Sequence, residues 1–380
     1  MIGIADLGAG GGAERFFADL YDHYRNDPNR RHDLSFVTDP VSLRRLRNVG
    51  RLQSDDGVHV VGPDTVSRWS LPRLLELSRL CQRPTFDIVH ITLPAPVYLP
   101  VLWWLQRQPL DRRPKLSITV TDCTVAHDYP SASPMSGYGA SKVYWLYRLY
   151  FDTVRLDGVY TWYELFADRF SQGRLKGNPT IVPARYCFVD TQRFQPAEEK
   201  DNHVVFAARL VPGKRPSLFV KAVQLARARA PELFRGWRFS IYGGGPLLEQ
   251  VRGEISRLGL GDLCEVAQSA DLAPAFARSR LFVSTQAYEN FTSLSMLEAM
   301  SAGNAVLAFD EGQTSWFVHH QENGLLVRES TAESLAESLL TYLRAPHRHA
   351  GYQQASRRIA THEHCAGNFI EHFDSYLDQI

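Results

Sequence analysis

Short strand-like runs alternate with longer segments of helical spacing along this chain, and half-way through the alternation begins again. The first series is "GIADL" (3–7), "LSFVT" (34–38), "VHVVG" (58–62), "DIVHI" (87–91), "LSITV" (116–120) and "GVYTW" (158–162). The second is "HVVFAAR" (203–209), "RFSIYG" (238–243), "LCEVAQ" (263–268), "LFVST" (281–285) and "NAVLAF" (304–309). Alternation of this kind predicts parallel sheets covered by helices on both faces. A length of 380 residues exceeds what one core serves, so two doubly wound α/β domains are expected. Between the series runs "FVDTQRFQPAEEKDN" (188–202), polar and charged, with Pro196, which reads as a hinge. The expected division is 1–190, 191–360, and an amphipathic terminal helix over 361–380 packing back on the first domain.

Charge excludes one class of partner. Lys and Arg number 42 against 41 Asp and Glu, so nothing global points to nucleic acid. Five cysteines lie far apart without a CxxC pair, as expected of reduced thiols in a cytoplasmic protein. The chain opens on "MIGIADL" with no basic-then-apolar leader, so no signal peptide is expected. The most apolar segment, "APVYLPVLWWL" (95–105), is too short to span a bilayer.

Open α/β sheets bind ligands at the carboxyl ends of their strands, which makes the loops there informative. "YENFTSLSMLEAMSAGNAVLAFD" (288–310) follows one such strand. Thr292 or Ser293 is placed to cap a helix through "LSMLEAM", with Gly303 as its stop. The start of that helix offers N–H groups and partial positive charge to a phosphate. A capped core helix with two solvated glutamates is the bland alternative. "FAARLVPGKRP" (206–216) adds Arg209 at a strand end and Lys214 past a Pro-Gly turn, a pair suited to one anion. Such a pair alone is usually solvated; beside a helix start it points to a diphosphate. Glu298 and Glu289 then have a purpose, because carboxylates accept hydrogen bonds from sugar hydroxyls. A nucleotide sugar has that layout: ribose hydroxyls for Glu298, hexose hydroxyls for Glu289.

These residues resemble the retaining glycosyltransferases of the GT-B fold, specifically glycosyltransferase family 4. The likeness runs through "GGAERFFADL" (11–20), "VDTQRFQP" (189–196), "ARLVPGKRP" (208–216), "YGGGPLLEQV" (242–251), "YENFTSLSMLEAMSAGNAVLA" (288–308) and "ENGLLV" (322–327). It implies two Rossmann-like domains facing a cleft. It also implies a nucleoside diphosphate sugar as donor, a hydroxyl acceptor, and retention without a metal or other cofactor. By resemblance, Arg209 and Lys214 neutralise the diphosphate and Glu298 holds the ribose. The amides around Phe291, Thr292, Ser293 and Leu294 face the phosphates, and the loop containing Gly11 and Gly12 faces the cleft. One residue more than the family pattern separates Glu289 from Glu298, so Glu289 and Asn290 are alternatives for the donor sugar, with Glu289 preferred. The chain has no Asp-x-Asp motif for a divalent cation. The glycines of "YGGGP" (242–246) read as a strand-to-helix turn.

The acceptor side is less defined. After "ITVTDCTVAHDYP" (118–130), Thr121-Asp122 stands where the family often has His-Asp, and His127 follows as the candidate to orient acceptor or donor. His90, at the end of "DIVHI", is a second candidate. "SKVYWLYRLYFDTVRLD" (141–157) interleaves cations with aromatics at helical spacing. That is either a core helix with snorkelling cations or a peripheral membrane contact. Two other enzyme classes remain open: a nicotinamide-dependent oxidoreductase using Gly8, Gly10, Ala13 and Asp39, and a sugar-nucleotide epimerase of the same fold. A nucleotide-sugar sensor is a third reading.

Overall fold

The computed structural model describes residues 2–4, 12–48, 57–62, 71–109, 111–122, 125, 140–171, 173–269, 271–287 and 293–380. The chain forms two compact units. The first gathers described residues from 2–131, 140–186 and 366–380; the second gathers those of 187–365.

The first unit is built on a seven-stranded sheet in the order β3-β2-β1-β4-β5-β6-β7, every neighbouring pair parallel. Its strands are β1 (Ile2–Ile4), β2 (Ser35–Thr38), β3 (Val58–Val60), β4 (Ile88–Ile91), β5 (Lys115–Val120), β6 (Gly158–Thr161) and β7 (Thr180–Pro183). Its helices before the crossing are α1 (Gly12–Asn26), α2 (Pro40–Asn48), α3 (Leu71–Cys81), α4 (Leu99–Leu105), α5 (Ala140–Thr153) and α6 (Glu164–Phe170). Central strands are buried along their whole length, as in β4 and β6, and the polar residues they contain, His90 and Thr161, are hydrogen-bonded inside.

The second unit has a six-stranded parallel sheet in the order β10-β9-β8-β11-β12-β13. These strands are β8 (His203–Ala207), β9 (Arg238–Tyr242), β10 (Cys264–Ala267), β11 (Leu281–Ser284), β12 (Ala305–Phe309) and β13 (Gly324–Val327). Its helices are α7 (Pro216–Arg229), α8 (Leu248–Arg257), α9 (Ala273–Arg278), α10 (Leu294–Ser301), α11 (Ala332–Leu343) and α12 (Pro346–His362). Winding outward in both directions from β8 leaves a switch point between β8 and β11, where the crevice of a doubly wound sheet opens.

The last helix, α13 (Ala366–Leu377), belongs to the first unit. Phe369, Phe373 and Tyr376 are buried there, Phe369 edge-on to Phe16 at 5.2 Å and Phe373 edge-on to Tyr160 at 5.1 Å. Asp374 accepts hydrogen bonds from the Tyr24 hydroxyl of α1 and, at 2.9 Å, from the Arg31 amide.

The sequence pattern did not mark β7 and β13. Both are edge strands, and β13 begins on a glycine for a steric reason. A Cβ at Gly324 would stand 1.9 Å from the Val306 carbonyl oxygen of β12.

Candidate functional site

The loop after β8 carries the two predicted cations, and the loop after β11 holds it in place. The Thr285 hydroxyl donates to the Lys214 carbonyl (2.7 Å) and reaches that of Arg215 (3.0 Å). The Ala287 amide donates to the Gly213 carbonyl at 2.9 Å. Lys214 donates its ammonium to the Gln286 side-chain oxygen. Arg215, which the sequence reading passed over, is the main staple. Its Nε donates to the Thr285 carbonyl at 2.8 Å and an Nη to that of Gln286 at 2.9 Å. Its guanidinium also lies 4.8 Å from the centre of the Phe309 ring and 3.5 Å from Glu311. The backbone of Arg215 is left-handed (φ 46°), a conformation that costs an ordinary side chain and persists here because those bonds over-determine it. The signal was present: in "GKRP" a second cation adjoins the lysine.

Helix α10 starts against the same strand end. The Ser295 hydroxyl donates to the Ala207 carbonyl, the last residue of β8, at 2.8 Å. Of the two residues expected to cap this helix, Ser293 precedes it without a side-chain cap bond, and Thr292 lies outside the described residues. Lys214, Ser293 and Ser295 line one narrow recess with the ends of β8 and β11. Arg209 leaves β8 two residues past its end, and Glu298 lies one turn along α10 from Leu294, 7% exposed. Neither lines that recess. The helix stops where expected: Gly303 has φ 71°, and its amide bonds to the Met300 carbonyl at 2.9 Å.

The glycines of the turn after β9 are structural. A Cβ at Gly243 would stand 2.0 Å from the Ala208 carbonyl oxygen, and one at Gly245 2.6 Å from that of Leu210. The Leu210 amide in turn bonds to the Gly244 carbonyl at 2.9 Å. Backbone thus packs on backbone directly beneath Arg209.

Glu289, Asn290, Phe291, Thr292, Gly11 and His127 lie outside the described residues; Gly12 is the first residue of α1. On the acceptor side, Asp122 is half-buried just past β5, and its carbonyl accepts the Val125 amide at 3.2 Å. Thr121 beside it meets the Tyr147 hydroxyl, and its carbonyl accepts that of Tyr163 at 3.0 Å. His90 is a correction. It is 1% exposed inside the first sheet, its ring nitrogens 2.8 Å from the Ser117 hydroxyl and 2.7 Å from that of Thr119. Burial pushes it down to about 3, so it is a neutral core group that no acceptor reaches. Asp39 is also spoken for. Its carboxylate caps α2 through the amides of Val41 and Ser42, both at 2.9 Å, and the Ser42 hydroxyl at 2.6 Å. That leaves the dinucleotide reading without its ribose acceptor.

On α5, Tyr144, Tyr147, Tyr150 and Phe151 are buried, while Trp145 and Leu149 are exposed beside Lys142 and Arg148. No helix among the described residues is long and apolar enough to cross a membrane. Nor do three of His, Cys, Asp or Glu cluster as a metal site among them.

Residues 188–359 match the glycosyl transferases group 1 family. The second unit is a glycosyl transferases group 1 domain. An exopolysaccharide phosphotransferase of Streptomyces coelicolor is 34% identical over 139 residues, 36% of this chain and 14% of that protein. The GtfA subunit of a UDP-N-acetylglucosamine–peptide N-acetylglucosaminyltransferase from Streptococcus parasanguinis is 26% identical over 216 residues, 53% of this chain and 40% of that one. The chain therefore spans less than half the length of either relative. Among solved structures, HepE of Anabaena in complex with UDP-glucose superposes with a TM-score of 0.72 at 17% identity, covering 100% of this chain and 99% of that one. The fold is GT-B, two Rossmann-like units in one chain.

Proposed function

We propose that this chain is a family 4 glycosyltransferase. It moves a hexosyl group from a nucleoside diphosphate sugar to a hydroxyl on a glycan, a lipid-linked glycan or a small molecule, with retention of anomeric configuration. The observation that carries this reading is the convergence at the β8/β11 switch point of a fixed cationic loop and a helix start tied to the end of β8. The relatives named for UDP-N-acetylglucosamine and solved with UDP-glucose support uridine diphosphate as the carrier.

In this reading Arg209 and Lys214 take the diphosphate oxygens, with the amides of Ser293 and Leu294 at the positive end of α10. Glu298 accepts from the ribose hydroxyls, and Glu289, or Asn290 beside it, from the hexose. Asp122 and His127 are assigned to the acceptor side. The anomeric carbon–oxygen bond to the diphosphate breaks, and the electron pair leaves with the diphosphate. The acceptor oxygen bonds the same carbon on the same face, and its proton passes to a departing phosphate oxygen. The protein's part is to stabilise the growing negative charge, which the two cations supply without a metal ion. Free thiols at Cys81, Cys187, Cys264 and Cys365 fit a reducing compartment, and we place the enzyme in the cytoplasm.

Turnover of UDP-sugars by Arg209→Ala tests the assignment. The expected fall in kcat is about 10²–10³, the usual worth of one such group, with the melting temperature retained. Near wild-type turnover at saturating donor would remove Arg209 from the mechanism.

A further inference from the structure

The second unit has a cavity of about 840 Å³ that shares no lining residue with the strand-end recess. It lies where β8, β11 and β12 begin, at the opposite end of the strands from Arg209. The linker 196–200, Arg280, Gly303 and the face of α12 carrying Arg357, Arg358 and His362 form its walls. A volume of this size suits a small molecule, since such sites run to roughly 300–1,000 Å³.

Three cations in these walls form no ion pair among the described residues. Lys200 donates its ammonium to the carbonyls of Ala277 (3.0 Å), Ser279 (2.7 Å) and Ala302 (2.8 Å), at the ends of α9 and α10. Arg357 donates to the carbonyls of Phe194 (2.8 Å), Ser301 (2.6 Å) and Thr191 (3.1 Å). The Arg280 side chain makes no hydrogen bond or ion pair with any described residue, and its Nε is buried without an acceptor. Helix-end carbonyls soften the charge of the first two, and nothing answers the third. Burial, with the nearby charge of Arg280, pushes Lys200 down to about 7, and burial lowers Arg357 as well. Arg358 is paired with Glu322; Glu198 and Glu199 also line the cavity, and Glu199 lies near Arg278.

A positive surplus in a concave wall focuses its field on whatever enters. A guanidinium fork matches phosphate oxygens. We propose that this cavity binds a small phosphate-bearing anion, with Arg280 as its principal ligand and the charges of Arg357 and Lys200 in support. The site is independent of the donor site and of the activity proposed for it.

Calorimetric titration of the whole chain with inorganic phosphate at constant ionic strength tests this. Saturable binding is expected. Arg280→Gln should weaken it about tenfold, the worth of one charge-assisted hydrogen bond. Glu198→Gln, which removes a carboxylate from the wall, should tighten it roughly threefold. Arg209→Ala should leave it unchanged. Absence of saturable heat in the millimolar range overturns the proposal. So does binding that Arg209→Ala abolishes and Arg280→Gln does not, because the ion would then sit in the donor site. Should Arg280→Gln fail to fold, an unchanged or weakened affinity in Glu198→Gln is the overturning result.

Discussion

The two units wind outward in the same order from their first strands, yet they treat the polar groups at their strand ends differently. In the first unit those groups largely answer one another: Thr121 is held by Tyr147 and Tyr163, and Asp39 is consumed as a helix cap. In the second, the backbone and Arg215 secure the loop that carries Lys214, whose ammonium donates to the Gln286 side chain, and Arg209 follows the end of β8. Winding order fixes where a crevice opens. What the crevice can bind depends on which charges its loops bring to the strand ends: cations after β8, a capping carboxylate and hydroxyls in the first unit.

The largest test of that contrast is a pair of substitutions. Arg209→Ala should cut kcat by about 10²–10³, while Thr121→Val, measured in the same assay, should stay within a few-fold of the parent. Equal losses would erase the distinction between the two strand ends. The next concerns Arg215. Arg215→Ala removes two hydrogen bonds to carbonyls and a cation over an aromatic ring, and should lower stability by about 2–3 kcal/mol in urea unfolding. Donor KM should rise with it, since the loop bearing Lys214 loosens. Arg215→Lys should not restore either, because an ammonium cannot make both bonds in that geometry. A stability unchanged in both variants would show that the staple is ornamental.

Acidification probes the interiors of both units. Burial holds His90 at about 3 in the first, and His203 and His364 at about 4 in the second, against 6.5 for an exposed imidazole. The unfolded chain therefore binds more protons in that interval. Stability is full above pH 6.5 and falls as the pH drops through 6.5 toward 4, by about 2 kcal/mol per histidine at pH 5. Comparing urea midpoints at pH 7.5 and 5 for the parent and for His90→Gln should show the gap narrow by that amount. A gap of the same width would mean His90 is hydrated. The smallest effect is that of Asp39→Ala, expected to cost about 1 kcal/mol as a lost helix cap and to leave donor kinetics unaltered. A change in nicotinamide binding there would revive the oxidoreductase reading.

Much of this fold was written in periodicity. Fully buried strands such as "HVVFA" and "AVLAF" announce themselves as apolar runs, and the turn glycines mark where backbones touch. Edge strands were harder, because "TIVP" is only half-buried and "GLLV" opens on a glycine. Arg209, Lys214 and Glu298 were chosen on local chemistry, and of the three Lys214 lines the strand-end recess. The site was not legible where the partner is distant in sequence. Arg215 is explained by Thr285 and Gln286, about 70 residues on, and His90 by hydroxyls of the neighbouring strand. A histidine near the end of a strand gives no sign in its own segment of whether it faces solvent or a neighbour's hydroxyl.

The return of α13 to the first unit also sets an order on biosynthesis. The pocket that Phe369, Phe373 and Tyr376 fill against Phe16 and Tyr160 stays open while the ribosome makes residues 187–365. The half that is translated earliest is therefore sealed last. A chain that ends before residue 366 would carry a complete second unit and an unsealed first one, with aromatic surface for a chaperone to hold.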